Sequence, residues 1–148
     1  MLRYLFGFLF LLGANAITPV SGAQQEASDI IRERMERFRE AKYQLKEIKK
    51  ALNADDFSHV KNTASYLRDW ARVMPDYFPE GSGIAPSEAS QRIWDEFEAF
   101  KDAAKSHENA ATMLMEAAVS GNKDTSISAF ETLAGTCSSC HRQFRQFR

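Results

Sequence analysis

The chain has 148 residues, 44% of them hydrophobic and 26% charged, with a formal net charge of −1. That length predicts one domain, and the composition is that of a globular protein rather than a disordered or fibrous one. The near-neutral balance gives no electrostatic case for nucleic acid or for an anionic membrane surface.

The first segment reads as a secretory signal peptide over residues 1–23. Arg3 supplies a short positive start, residues 4–13 form a nearly unbroken apolar run, and small residues follow. Ala14-Asn15-Ala16 and Ser21-Gly22-Ala23 are both cleavage-site patterns. Cleavage after Ala23 is preferred, because a polar, charged segment begins there. A membrane anchor is the alternative, but the run is short of the roughly 20 apolar residues a span needs. Cleavage would remove Arg3 and no acid, leaving 18 Lys+Arg against 20 Asp+Glu, a formal charge of −2. The mature chain, residues 24–148, is expected in the periplasm without stable membrane association.

Four amphipathic segments follow. In residues 28–52, Ile31, Met35, Phe38, Ala41, Leu45, Ile48 and Leu52 recur at intervals of three and four, the period of a helix with one buried face. Ser28 or Asp29 could cap its start, and Asn53-Ala54-Asp55-Asp56 could end it and cap the next helix. Residues 57–74 carry Phe57, Val60, Ala64, Leu67, Ala71 and Met74 on one stripe, and Pro75 stops them. Residues 75–87 hold Pro75, Pro79, Gly81, Gly83 and Pro86, the one long connection. A third helix is predicted over residues 87–120, with Ile93, Trp94, Phe97, Phe100, Ala104, His107, Ala111, Leu114 and Ala118 inward, and Met113 and Met115 as packing residues. Gly121-Asn122 breaks it, Gly121 as a left-handed C-cap and Asn122 as the N-cap of the next helix. A fourth covers residues 123–147, with Ile127, Phe130, Leu133, Ala134, Cys137, His141, Phe144 and Phe147 inward. No run alternates with the period of a strand. The prediction is an all-α, antiparallel four-helix bundle with one long loop between its second and third helices.

The chemistry sits in Cys137-Ser138-Ser139-Cys140-His141, a C-x-x-C-H sequence of the kind that attaches haem covalently. Two sulfurs must reach two vinyl groups on one edge of a porphyrin, and the next residue must place an imidazole at the iron. On a helix, Cys137, Cys140, His141 and Phe144 share a face. Three other readings compete. A thioredoxin-like dithiol sits after a strand, at a helix N-terminus, and no strand precedes this motif. A disulfide between cysteines three apart would close too small a loop to stabilise the fold much. Zinc would need further ligands, and only His59 and His107 remain.

A C-x-x-C-H within the last dozen residues, on the fourth helix of a bundle, resembles the class II c-type cytochromes: cytochrome c′ and its low-spin relatives. Four local patterns carry the resemblance over residues 28–147. His141-Arg142-Gln143-Phe144-Arg145 resembles the family's C-H-x-x-Tyr-Arg, with Phe144 in place of tyrosine. Phe78-Pro79-Glu80-Gly81-Ser82 resembles its Phe-Pro-x-Gly-Ser/Thr loop, and Ile93-Trp94 with Phe97 and Phe100 its third-helix signature. Ile31, Arg34 and Phe38 match its first-helix pattern.

The resemblance implies one covalent haem c on Cys137 and Cys140, with His141 as axial ligand. It implies Arg34 and Arg145 beside the haem carboxylates and Phe38 facing the iron opposite His141. Phe38 cannot ligate iron, which implies a five-coordinate haem open to NO or CO. Met35, one turn earlier, is the candidate sixth ligand for a low-spin electron carrier. Trp94, Phe97, Phe100, Phe130 and Phe144 could line the haem or pack the core. His107 reads as a hydrogen-bonded core histidine that could approach the haem edge, and His59 as exposed. The expected function is electron transfer or gas binding rather than enzymatic turnover, with a periplasmic redox partner; family members often form homodimers through their first two helices. A haem-free periplasmic thiol–disulfide protein is the alternative of another class.

Overall fold

The computed structural model describes residues 22–146. The signal segment up to residue 21 and Phe147 lie outside them. Five helices follow one another: α1 (Gly22–Asn53), α2 (Phe57–Val73), α3 (Arg92–Asp95), α4 (Phe97–Ser120) and α5 (Lys123–Phe144). A 3-10 turn over Met74–Tyr77 extends α2. The four long helices form the predicted bundle, and no strand is present among the described residues.

The helix ends follow local chemistry. Asp56 caps α2 by accepting from the His59 N–H at 2.9 Å, and Asn122 caps α5 by accepting from Thr125 N–H at 2.9 Å. Gly121 closes α4 in the left-handed region, φ 68°. Ser28 and Asp29 do not cap α1, which already runs from Gly22; Asp29 instead pairs with Arg32 one turn on, at 2.8 Å.

The third predicted helix is shorter than expected and broken. Residues 87–91 are irregular because their polar groups bind elsewhere. Ser90 N–H donates to Phe144 O at 2.9 Å, and Gln146 N–H donates to Glu88 O at 2.8 Å. This stretch is thereby stitched to the end of α5. Glu96, at φ −128° and ψ 48°, separates the single turn α3 from α4. Two stripe assignments also fail. Ile127 is 37% exposed and Met113 55% exposed, while Ser126, Ala129 and Leu133 are buried on α5. Ser126 rather than Ile127 continues the three-and-four spacing back from Ala129 and Leu133, and each step along a helix turns a side chain by about 100°.

Packing divides the molecule into two halves. At one end, Ile48, Leu52, Val60, Leu67, Leu114 and Leu133 form an aliphatic core. At the other, Trp70, Met74, Phe78, Ile93, Phe100 and Phe144 form an aromatic one. Helix α2 packs along α1 and α4, and α4 along α5, but α1 and α5 touch only sparsely.

The long loop is tied to α1 by Arg34, which is 2% exposed. Its Nη1 donates to Tyr77 O at 3.0 Å and Ser82 Oγ at 2.8 Å, and its Nη2 donates to Ser82 O and Ser87 Oγ. The guanidinium also lies 4.3 Å from the Phe78 ring centroid. Trp94 secures the loop from the other side. Its Nε1 donates to Phe78 O and Pro79 O, each at 3.0 Å, and its ring crowds Gly83, where a Cβ would lie 3.0 Å from it.

Lysine cannot reproduce a fork of four hydrogen bonds. Arg34→Lys is expected to lower stability by about 2–3 kcal/mol, since it strands buried acceptors. The check is a lower denaturant midpoint with unchanged m-value.

Candidate functional site

A cavity of about 540 Å³ fills the gap between α1 and α5. That is within the range of small-molecule and cofactor sites. One wall is the α5 face of Thr136, Cys137, Cys140, His141 and Phe144; the opposite wall is Met35, Phe38, Ala41 and Leu45 of α1. These four α1 residues are only half-buried, although they continue the stripe of fully buried Ile31 and Ile48. They lack a facing protein surface because the cavity takes its place.

The helix period brings both cysteines and His141 to this opening, as the spacing predicts. Cys137 and Cys140 are free, half-buried thiols. Burial, reinforced by the neighbouring Cys137, pushes the Cys140 thiol up to about 11, and burial raises Cys137 too. A redox dithiol needs the opposite, a thiolate stabilised near neutral pH. His141 is held below the ordinary histidine range by burial and then by the Arg145 charge, so its ring is neutral and able to ligate. No group of three or more His, Cys, Asp or Glu side chains gathers into a metal site among the described residues, which leaves the zinc reading without support. An apolar slot with two adjacent thiols and a neutral imidazole on one wall fits a covalently attached haem.

Most of the other sequence-predicted residues line the cavity, some in altered roles. Phe38 reaches it from α1, edge-on to Trp70 with ring centroids 5.5 Å apart. Arg34 borders it and is no surface charge: its four Nη hydrogens end on the loop, and burial pushes its guanidinium down to about 10. Arg145 stands at the rim, where its Nε donates to Glu88 Oε2 at 2.9 Å. Trp94 is not in the cavity wall; it holds the loop. Phe100 and Phe144 line the cavity, Phe97 packs behind it, and Phe130 belongs to the aliphatic end. His59 is exposed on the first turn of α2.

His107 is 7% exposed and lines the cavity. Thr136 Oγ1 donates its single hydrogen to Leu133 O at 2.6 Å, so towards His107 Nδ1, also 2.6 Å away, it must accept. The proton of the neutral ring is therefore on Nδ1. Trp70 and Thr136 were not anticipated from the sequence, and Phe78 was read there only as part of the loop motif. Trp70 follows Leu67 by three and precedes Met74 by four, so helical spacing could have marked it.

Burial pushes His107 down to about 4, against 6.5 for a free histidine. Between those values the unfolded chain binds a proton that the folded one refuses. Stability is therefore expected to fall as the pH drops from about 6.5 to about 4, by about 3 kcal/mol at most. Denaturation midpoints across that interval should slope less in His107→Phe than in the parent protein.

Comparisons with known proteins agree with this geometry. The family model described as Cytochrome C' matches residues 29–145. A cytochrome c′ of Rhodospirillum rubrum is 40% identical over 95 residues, 62% of this chain and 65% of the relative. The match thus spans just under two thirds of that relative's length. A cytochrome c-556 of Agrobacterium tumefaciens is 33% identical over 91 residues, 61% of this chain and 72% of the relative. Among solved structures, the cytochrome c′ of Shewanella frigidimarina superposes with a TM-score of 0.75 at 21% identity, covering 83% of this chain and 98% of that one.

Proposed function

The chain belongs to the cytochrome c′ family, whose cofactor is haem c, and we propose that it is a periplasmic monohaem cytochrome that transfers single electrons or binds small neutral gases such as NO and CO. The observation that carries this reading is the cavity itself. It opens onto the C-x-x-C-H face on one side and onto a methionine and a phenylalanine on the other. In this reading residues 1–23 are the cleaved signal peptide and residues 24–148 the mature domain.

Each residue then has a chemical task. Cys137 and Cys140 would hold the haem through thioether bonds, and His141 would ligate the iron through a ring nitrogen. When bound, the haem supplies one-electron chemistry and an iron site for a diatomic ligand. Phe38, on the wall across the cavity from His141, offers no donor atom and would leave the iron without a second protein ligand. The apolar wall of Phe38, Ala41 and Leu45 excludes water and charged ligands but admits small neutral molecules. Phe144 and Phe100 would pack against the haem, and the Arg145–Glu88 pair borders the cavity near His141.

Met35 also lines the cavity. A thioether from this position would give a six-coordinate, low-spin carrier instead. Optical spectra with and without CO separate the two. Phe38 as the distal residue predicts high-spin bands and a ferrous form that binds CO. A low-spin spectrum that resists CO and is lost in Met35→Ala would establish the second reading. Phe38→Met is expected to convert the five-coordinate form to a low-spin one. In a host competent for cytochrome maturation, the purified protein should weigh one haem more than its polypeptide; a polypeptide-only mass would refute both forms.

A further inference from the structure

Two oxidisable rings, Trp70 and Tyr77, lie in series between the cavity and the surface. Trp70 is 2% exposed, lines the cavity, and sits edge-on to Phe38 with ring centroids 5.5 Å apart. It also meets Tyr77 edge-on, at 5.2 Å. Tyr77 is half-buried, and its hydroxyl donates to Glu33 Oε1 at 3.1 Å. Glu33 is exposed on α1, and both residues line an open groove on the outer surface.

The two rings differ in where a proton can go. A ring that loses an electron becomes strongly acidic, and a positive charge left in an apolar interior is costly. The Trp70 Nε1 is sealed and has no acceptor among the described residues. Its proton has no exit, so an oxidised Trp70 is refilled from a neighbour instead of settling as a neutral radical. The Arg37 guanidinium lies 5.4 Å from the Trp70 ring centroid and 4.8 Å from that of Tyr77, and its charge opposes a cationic form of either. Tyr77 escapes this by losing its proton, because a carboxylate stands within hydrogen-bond reach. The hydrogen bond from Arg37, and then that from Tyr77, hold the Glu33 carboxyl below its usual range, so it is ionised at neutral pH.

We infer that Trp70 and Tyr77 form a relay that drains oxidising equivalents from the slot to the surface after the bound haem has met a hydroperoxide. Hydrogen peroxide is small and neutral, and the apolar slot that admits diatomic gases admits it too. Its O–O bond breaks with release of water and withdrawal of two electrons from the haem. Tyr77 returns one of those electrons by way of Trp70, breaking its own O–H bond and passing the proton to Glu33. Trp70 ends unchanged, and a neutral tyrosyl radical stands at the groove, where dissolved reductants reach it. The inference rests on the five-coordinate reading above, since the peroxide needs an open iron site.

The test mixes ferric, haem-bearing protein with hydrogen peroxide and freezes it for electron paramagnetic resonance. A tyrosyl signal is expected, lost in Tyr77→Phe, strongly diminished in Trp70→Phe and unchanged in Trp94→Phe, whose indole serves the loop. No tyrosyl signal, a signal that survives Tyr77→Phe, or an equal loss in both tryptophan variants overturns the relay. Should Tyr77→Phe fail to mature, a nitroso spin trap added to the parent protein, followed by peptide mapping, decides. An adduct on Tyr77 supports the relay. Adducts confined to Tyr43 or Tyr66, or oxidation that stops at Met35 or Met74 of the cavity wall as sulfoxide, overturn it. A polypeptide-only mass, or a ferrous form that refuses CO, overturns the five-coordinate reading together with this one. A CO-binding haem protein without a Tyr77 radical overturns only this one.

Discussion

Arg34 carries its charge into the interior, and all four of its Nη hydrogens end on neutral oxygens of residues 77–87. Desolvating a guanidinium costs several kcal/mol unless its donors are satisfied, and charge-assisted bonds to well-placed acceptors offset that cost. The acceptors are well placed only if the loop holds one conformation. Trp94 clamps that conformation through Phe78 O and Pro79 O, and Gly83 gives the Trp94 ring room. Ser87 then links the loop to its exit, accepting from both Arg34 and the Ala89 N–H. From there the chain pairs with the end of α5 through Ser90 and Gln146. One buried cation thus connects the first helix to the segment that carries His141, Phe144 and Arg145.

The connection matters because α1 and α5 do not hold each other. They stand on either side of a slot, each leaning on its own neighbour. Without the loop, little besides α2 and α4 would set the width of that gap. A slot of fixed width selects a flat, apolar occupant, and the residues around it follow from that. Met35, Phe38, Ala41 and Leu45 stay half-exposed on an otherwise buried stripe. The thiols are raised by burial instead of being poised as thiolates. His107 is kept neutral with its proton committed to Thr136. These are properties of a cofactor cradle rather than of a dithiol exchange site.

The bundle was legible in the sequence because helical periodicity is a local property. Ile31, Ile48, Val60, Leu67, Leu114 and Leu133 fall inside as their spacing requires. Capping by Asp56 and Asn122 and the glycine stop at Gly121 depend only on neighbouring residues, and they were read correctly. The misreadings of residues 87–91 and of Trp94 share one cause. Ser87 to Gln91 can continue a helical pattern, but their polar groups are claimed by Arg34 and by the end of α5, both distant along the chain. Trp94 has the composition of a pocket residue, yet the loop needs its N–H more.

By itself, the sequence determined that four amphipathic helices would form and that two cysteines and a histidine would share one helical face near the chain's end. Those results follow from the 3.6-residue period and from residue types a few positions apart. Only the tertiary structure decided that α1 and α5 leave a cavity between them, that Arg34 serves the loop, and that Trp70 is sealed into the aromatic core. These depend on how segments forty or more residues apart compete for the same space and the same hydrogen bonds, and no local pattern records the outcome of that competition.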